Sequence, residues 1–309
     1  MRLVTPKEKV YLGEVFTIEV QVYLKNVVQN AGQFRFTSLP ADGFTVGKMT
    51  RGQQREEQIG NSVYNITPIY IALTAIKTGD FNLGPITASI VVQLPAPHRG
   101  NNDPFDMPDP FGMFQRGVQK QLTFATDSES IHSLPLPSED APPGFNGAIG
   151  NYTMSVNAGP TNVAVGDPIT VHVKISGRGD LEALSLPHQS TWHDFKIYPP
   201  TSNVTNTDQL GIQGTKTFEE IVSPQNTNVN ELPPFSFSFF DPNAGEYRTL
   251  KESALPLTVQ PGGATPIPTV AAASTGSQGN HPPEQNIVPI KQRSGELATI
   301  ESPVPVQAW

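Results

Sequence analysis

Apolar and polar residues alternate along this chain in short runs, and one such run occurs twice. In Val15–Val22, the residues Phe16, Ile18, Val20 and Val22 share one face of an extended chain, while Thr17, Glu19 and Gln21 share the other. Ile169, Val171, Val173 and Ile175 alternate with Thr170, His172 and Lys174 in the same way. A glycine and an acid precede both runs, Gly13-Glu14 in one and Gly166-Asp167 in the other, a pairing that turns a chain into a strand. No stretch sustains a helical period over about 11 residues, so the pattern predicts strands throughout.

The order of the later runs repeats as well. Phe44-Thr45-Val46 is matched by Phe195-Lys196-Ile197, Leu83-Gly84-Pro85 by Leu232-Pro233-Pro234, and ITASIV by FSFSFF (Phe235–Phe240). The offset between partners drifts steadily from 153 through 151 to 149, as small loop deletions in a duplicated unit produce. After FSFSFF, the turn Asp241–Gly245 predicts a hairpin into EYRTLKESALPLTV. At the matching place the first repeat makes an excursion, 95–117, before it returns as QKQLTFATDSESIHSLPLP. Residues 95–117 are therefore expected as a loop inserted in the first repeat, with the junction between repeats at Pro135–Phe145.

These elements predict an all-β protein of two tandem immunoglobulin- or fibronectin-like β-sandwich domains, 1–137 and 138–262. From position 263 to 309 Gly, Pro, Ala, Ser and Thr dominate, which reads as a flexible, extended C-terminal tail.

Composition narrows the function. A hydrophobic content of 37% with 16% charged residues suits a soluble globular chain. The net charge of −8 argues against nucleic acid or an anionic membrane surface as main partner. With no cysteine, thiol catalysis, disulfides and thiolate metal sites are excluded together. MRLVTPKEKVYLGEV lacks the apolar region of a signal peptide, and no apolar run reaches the roughly 18 residues that span a bilayer.

The most unusual segment is Asn101–Gln115, NNDPFDMPDPFGMFQ. It concentrates Phe105, Met107, Phe111, Met113 and Phe114, the residues expected to bind a partner. Folding back over an open edge of their own sandwich is the competing reading. Asp103, Asp106 and Asp109 do not follow a calcium-loop spacing and read as solvated loop charges. The cluster His188-Gln189-Ser190-Thr191-Trp192-His193-Asp194 gathers side chains of catalytic and metal-binding type. Triads are drawn from separate segments and no third zinc ligand stands nearby, so a bridging loop with Trp192 packed on its domain is predicted. The sequons at Asn65, Asn151 and Asn203 are expected by chance. No catalytic residue, cofactor or metal is predicted, and the chain is not expected to be an enzyme.

LPLPSEDAPPGFNGAIGNYTMSV, followed by VGDPITVHVKISGRGDLEALSLP, FKIYPP and ELPPFSFSFFDPNAGEYRTL, resembles the BatD family, the Bacteroides aerotolerance (oxygen-tolerance) proteins. DPFDMPDPFGMF is similar to the loop that family carries between its first and second modules. The likeness is strongest over Leu134–Pro261 and weaker over the first repeat. It implies Ig-like modules on the periplasmic side of the bacterial inner membrane, anchored by a C-terminal helix, so that this chain reads as the soluble part. Partners implied are von Willebrand A-domain membrane proteins and, indirectly, a MoxR-type AAA+ ATPase. The implied function is a non-catalytic scaffold that binds through loops and sheet edges. A cell-surface adhesion or carbohydrate-binding module is the alternative; it calls for a row of exposed aromatics, and the row Phe235, Phe237, Phe239 is expected in the core. A hydrolase using His188, His193 or Asp194 is a third reading.

Overall fold

A computed structural model describes residues 1–94 and 118–262, apart from 27 and 29. The loop residues Phe105, Met107, Phe111, Met113 and Phe114, and the tail, lie outside the described residues. Met1–Gly263 form one compact unit, and all regular structure described in it is strand.

The first repeat contains β1 (Arg2–Val4), β2 (Lys9–Tyr11), β3 (Val15–Lys25), β4 (Asn30–Ser38), β5 (Phe44–Arg51) and β6 (Arg55–Ile59). It continues with β7 (Ser62–Ala75), β8 (Gly79–Leu83), β9 (Thr87–Leu94), β10 (Val118–Ala125) and β11 (Glu129–Leu134). One sheet has the order β1-β3-β7-β5, with β6 also on β7; the others are β10-β9-β4 and β2-β11-β8. The alternation in β3 sends Phe16, Ile18, Val20 and Val22 into a core shared with Leu73, Leu83, Ile86 and Ile131.

The second repeat contains β12 (Gly150–Gly159), β13 (Asn162–Ala164), β14 (Ile169–Gly179), β15 (Phe195–Ile197), β16 (Thr201–Asn206) and β17 (Gln213–Pro224). Then follow β18 (Glu231–Leu232), β19 (Phe235–Asp241), β20 (Glu246–Glu252), β21 (Leu255–Pro256) and β22 (Thr258–Gln260). The sheet β12-β14-β17-β15, with β16 on β17, has the order of its counterpart in the first repeat. The pairs β13-β22, β18-β21 and β19-β20 make up the other layer. The architecture is thus two tandem β-sandwiches of immunoglobulin-like kind.

The duplicated Gly-acid turns are alike in detail. Gly13 and Gly166 both have positive φ, 83° and 92°. The Glu14 amide donates to the Tyr11 carbonyl, and the Tyr11 amide donates to the Glu14 carboxylate at 2.9 Å. Asp167 and Ala164 exchange the same two bonds, the carboxylate accepting at 2.8 Å. An acid at this position closes the turn from both sides.

Two runs of the sequence divide in the structure. QKQLTFATDSESIHSLPLP becomes β10 and β11 because the chain changes sheets at Thr126, whose hydroxyl and amide both bond the backbone of Ile86. EYRTLKESALPLTV likewise becomes β20, β21 and β22. The hairpin β19–β20 is as expected, Asp241 facing Glu246, and Leu94 faces Val118 at the matching place in β9–β10.

The sandwiches meet through an aromatic chain. Tyr11 of the first lies edge-on to Phe240 of the second at 4.7 Å, Phe240 to Tyr247 at 5.1 Å, and Tyr247 to Phe145 at 5.0 Å. Lys7 Nζ donates to buried Glu14 at 2.6 Å and to Asn243 at 2.9 Å. Farther along, Arg178 donates to Thr17 at 3.5 Å, and Thr50 bonds Gln209.

Candidate functional site

The histidine-containing segment has a structural role. Trp192 is 1% exposed, packs against Phe195 and Phe235, and donates its indole N–H to the Pro233 carbonyl at 3.2 Å. His188 is exposed, while His193 and Asp194 form an exposed pair at 3.1 Å. The Asp194 carboxylate also accepts from Asn226 at 3.2 Å. No third ligand or nucleophile joins them, and among the described residues no group of three or more His, Cys, Asp or Glu is placed to hold a metal. Phe235, Phe237 and Phe239 are buried in the core, so the aromatic row that a sugar face requires is turned inward.

The surface best built for contact is one that pattern reading passes over. Among the described residues, β12 is the terminal strand of its sheet and pairs only with β14, from Gly150–Gly179 to Gly159–Thr170. Its sequence, GNYTMSVNAG, has neither charge nor proline. Natural edge strands are normally blunted by such residues or kept short, since an open row of N–H and C=O groups templates another strand. β1, its counterpart in the first sandwich, pairs over only three residues.

The inward face of β12 packs on the core. Tyr152 is buried against Phe237 and Phe239, and its hydroxyl donates to the Ile149 carbonyl at 2.9 Å. Burial, then the charge of Asp180, pushes its phenol pKa well above the usual range, so that proton stays in place. Met154, Val156 and Ala158 pack on the core, leaving Thr153, Ser155 and Asn157 on the other face. The sequence signal for this edge is the ten-residue run free of charge and proline between glycines; its place in the sheet is a matter of topology.

A tandem β-sandwich protein with an open edge on its second sandwich is the class these features define. Residues 156–259 match the BatD DUF11-like domain family. The second sandwich is therefore a BatD domain, and the match supports assignment to the BatD family, which is not a known enzyme family. No curated protein matches the chain. Among the described residues, no helix is long and apolar enough to cross a membrane.

Proposed function

We propose that this chain is a non-catalytic scaffold of a BatD-type oxygen-tolerance system, anchored on the periplasmic side of the inner membrane. It docks partner proteins by strand addition at β12. The observation that carries this reading is the unblunted edge of β12 on the domain that matches the family. Main-chain pairing there supplies affinity, and the alternating side chains of the added strand supply specificity. The partners proposed are von Willebrand A-domain membrane proteins, and through them a MoxR-type ATPase. Phe105, Met107, Phe111, Met113 and Phe114 form a second contact.

The test is binding to an immobilised von Willebrand A-domain protein of such a system. Ser155→Lys combined with Asn157→Lys places two charges along the edge without touching the core. Affinity should fall at least about tenfold, equivalent to about 1.4 kcal/mol, with the melting temperature unchanged. The loop variant Phe105→Ser/Phe111→Ser/Met113→Ser/Phe114→Ser should weaken binding independently. Undiminished binding by both variants would reject the scaffold reading.

A further inference from the structure

We propose that the first sandwich binds an anionic single-chain amphiphile of the long-chain fatty-acid type. Its hydrocarbon would lie between the sheets and its carboxylate at Arg51.

A cavity of about 600 Å³ opens between the two layers of the first sandwich. Small-molecule sites typically occupy about 300–1,000 Å³ and are mostly apolar, with a few polar groups that fix orientation. Phe34, Phe36 and Ile90 line one side, and Val22, Leu24 and Ile69 the other. Phe34 and Phe36 are only half buried, in edge-on contact with each other at 5.1 Å.

The duplicated fold explains the space. Aligning Leu83 with Leu232 sets Ile86, Ala88 and Ile90 of the first repeat where the second carries Phe235, Phe237 and Phe239. Those three rings fill the inter-sheet space of the second sandwich. In the first, an alanine and two isoleucines fill less of it, and the cavity lies at the Ile90 end, where β4 pairs with β9.

The polar groups specify the ligand's charge. β5 has a bulge between Val46 and Met49, after which Arg51 stands opposite Ile69. Thr67 stands opposite Val22, so both Arg51 and Thr67 belong to the inward face, with Arg51 Nη2 3.5 Å from Thr67 Oγ1. No carboxylate is among the described residues that line the cavity. A guanidinium at the mouth of an apolar cleft matches a carboxylate in geometry as well as sign, whereas a neutral or cationic amphiphile would leave it unpaired.

The test uses the full chain and cis-parinaric acid, a fatty acid whose fluorescence rises in apolar surroundings. Saturable binding at one site is expected, with displacement by palmitate and not by methyl palmitate. Arg51→Glu should weaken binding at least about tenfold, and Arg51→Lys by less. Ile90→Phe, which restores the ring of the sister domain, should abolish binding while the circular-dichroism spectrum is retained; should it not fold, the Arg51 variants still decide. Absence of saturable binding, or equal displacement by methyl palmitate, would overturn the proposal. So would binding that appears only after residues 101–115 are deleted, since the chain's own loop would then be the occupant.

Discussion

Glu220 occupies the least hospitable position of any acid in the second sandwich. It lies on β17 opposite Val171 and between Phe218 and Val222 on the buried face, 8% exposed. Lys216 shares that face but donates to the Glu182 carbonyl at 2.8 Å. Burial pushes the Glu220 carboxyl from 4.5 up to about 7. The folded chain thus holds this proton more tightly than the unfolded one. Its contribution to stability is full below about pH 4.5 and is lost as pH rises to about 7, by at most about 3 kcal/mol. Glu220→Gln should remove that slope and exceed the wild type above about pH 7, as measured by urea denaturation at about pH 5 and about pH 8. A slope that survives the substitution would show that another group causes it. The two turn glycines give a second residue-scale contrast. Alanine at Gly166 faces open space and incurs only its positive φ, about 1–2 kcal/mol. At Gly13 the added Cβ would also overlap Ile149 Cδ1 of the other sandwich, so Gly13→Ala should lose more in the same measurement. Equal losses would mean that Ile149 moves aside freely.

At the scale of elements, the two repeats differ most where β4 stands in the first. The second has no strand there; the irregular segment 180–194 takes its place. Gln189 mimics a strand residue, its Oε1 accepting the Ser236 amide at 2.9 Å and its Nε2 donating to the Ser236 carbonyl at 3.1 Å. Gln189→Ala takes this partner from both half-buried backbone groups of Ser236, and a loss of about 1–3 kcal/mol is expected by chemical denaturation. A change below about 0.5 kcal/mol would show that water replaces the side chain. This difference also marks where pattern reading stops. β3, β14 and β19 are legible because their apolar residues alternate with polar ones over Phe16–Val22, Ile169–Ile175 and Phe235–Phe239. β4 is not, since NAGQFRFTS offers only Phe34 and Phe36 as inward signals and bends through two register shifts against β9. Nor does Gln189 differ in sequence from any loop glutamine; only the neighbouring strand gives it a role. The open edge of β12 is hidden for the same reason: whether a strand ends a sheet is decided by residues far from it in sequence. The cavity at Arg51 depends on a bulge in β5 that brings Met49 and Arg51 to the face that Phe44 and Val46 hold before it, and no local pattern announces it.

At the scale of the whole molecule, one departure from alternation is informative. FSFSFF ends with two adjacent phenylalanines, Phe239 directed into its own core and Phe240 to the other face, yet both are buried. Phe240 is covered by Tyr11 of the first sandwich, by Tyr247, and by the junction residues Ala148 and Ile149, which meet its backbone. The polar half of the junction, Lys7 with Glu14 and Asn243, lies beside the turn that the first sandwich uses to begin β3. Movement between the sandwiches would expose the Phe240 ring and break the bond from Lys7 to Asn243, so the two should unfold together. A single cooperative transition is therefore expected, with equal midpoints by near-UV circular dichroism and by tryptophan fluorescence in a Trp309→Phe variant, where the signal comes from Trp192 in the second sandwich. Tyr11→Ala and Phe240→Ala should couple in a double-mutant cycle by about 0.5–1.5 kcal/mol, the range for an edge-on aromatic pair. Lys7→Met should cost more than an ordinary surface ion pair, about 1 kcal/mol or above, because it removes the 2.6 Å partner of a side chain that is only 3% exposed. Separate transitions, or additive effects of Tyr11→Ala and Phe240→Ala, would show instead that the sandwiches fold independently. The edge of β12 would then be presented from a swivelling domain, in place of a fixed platform.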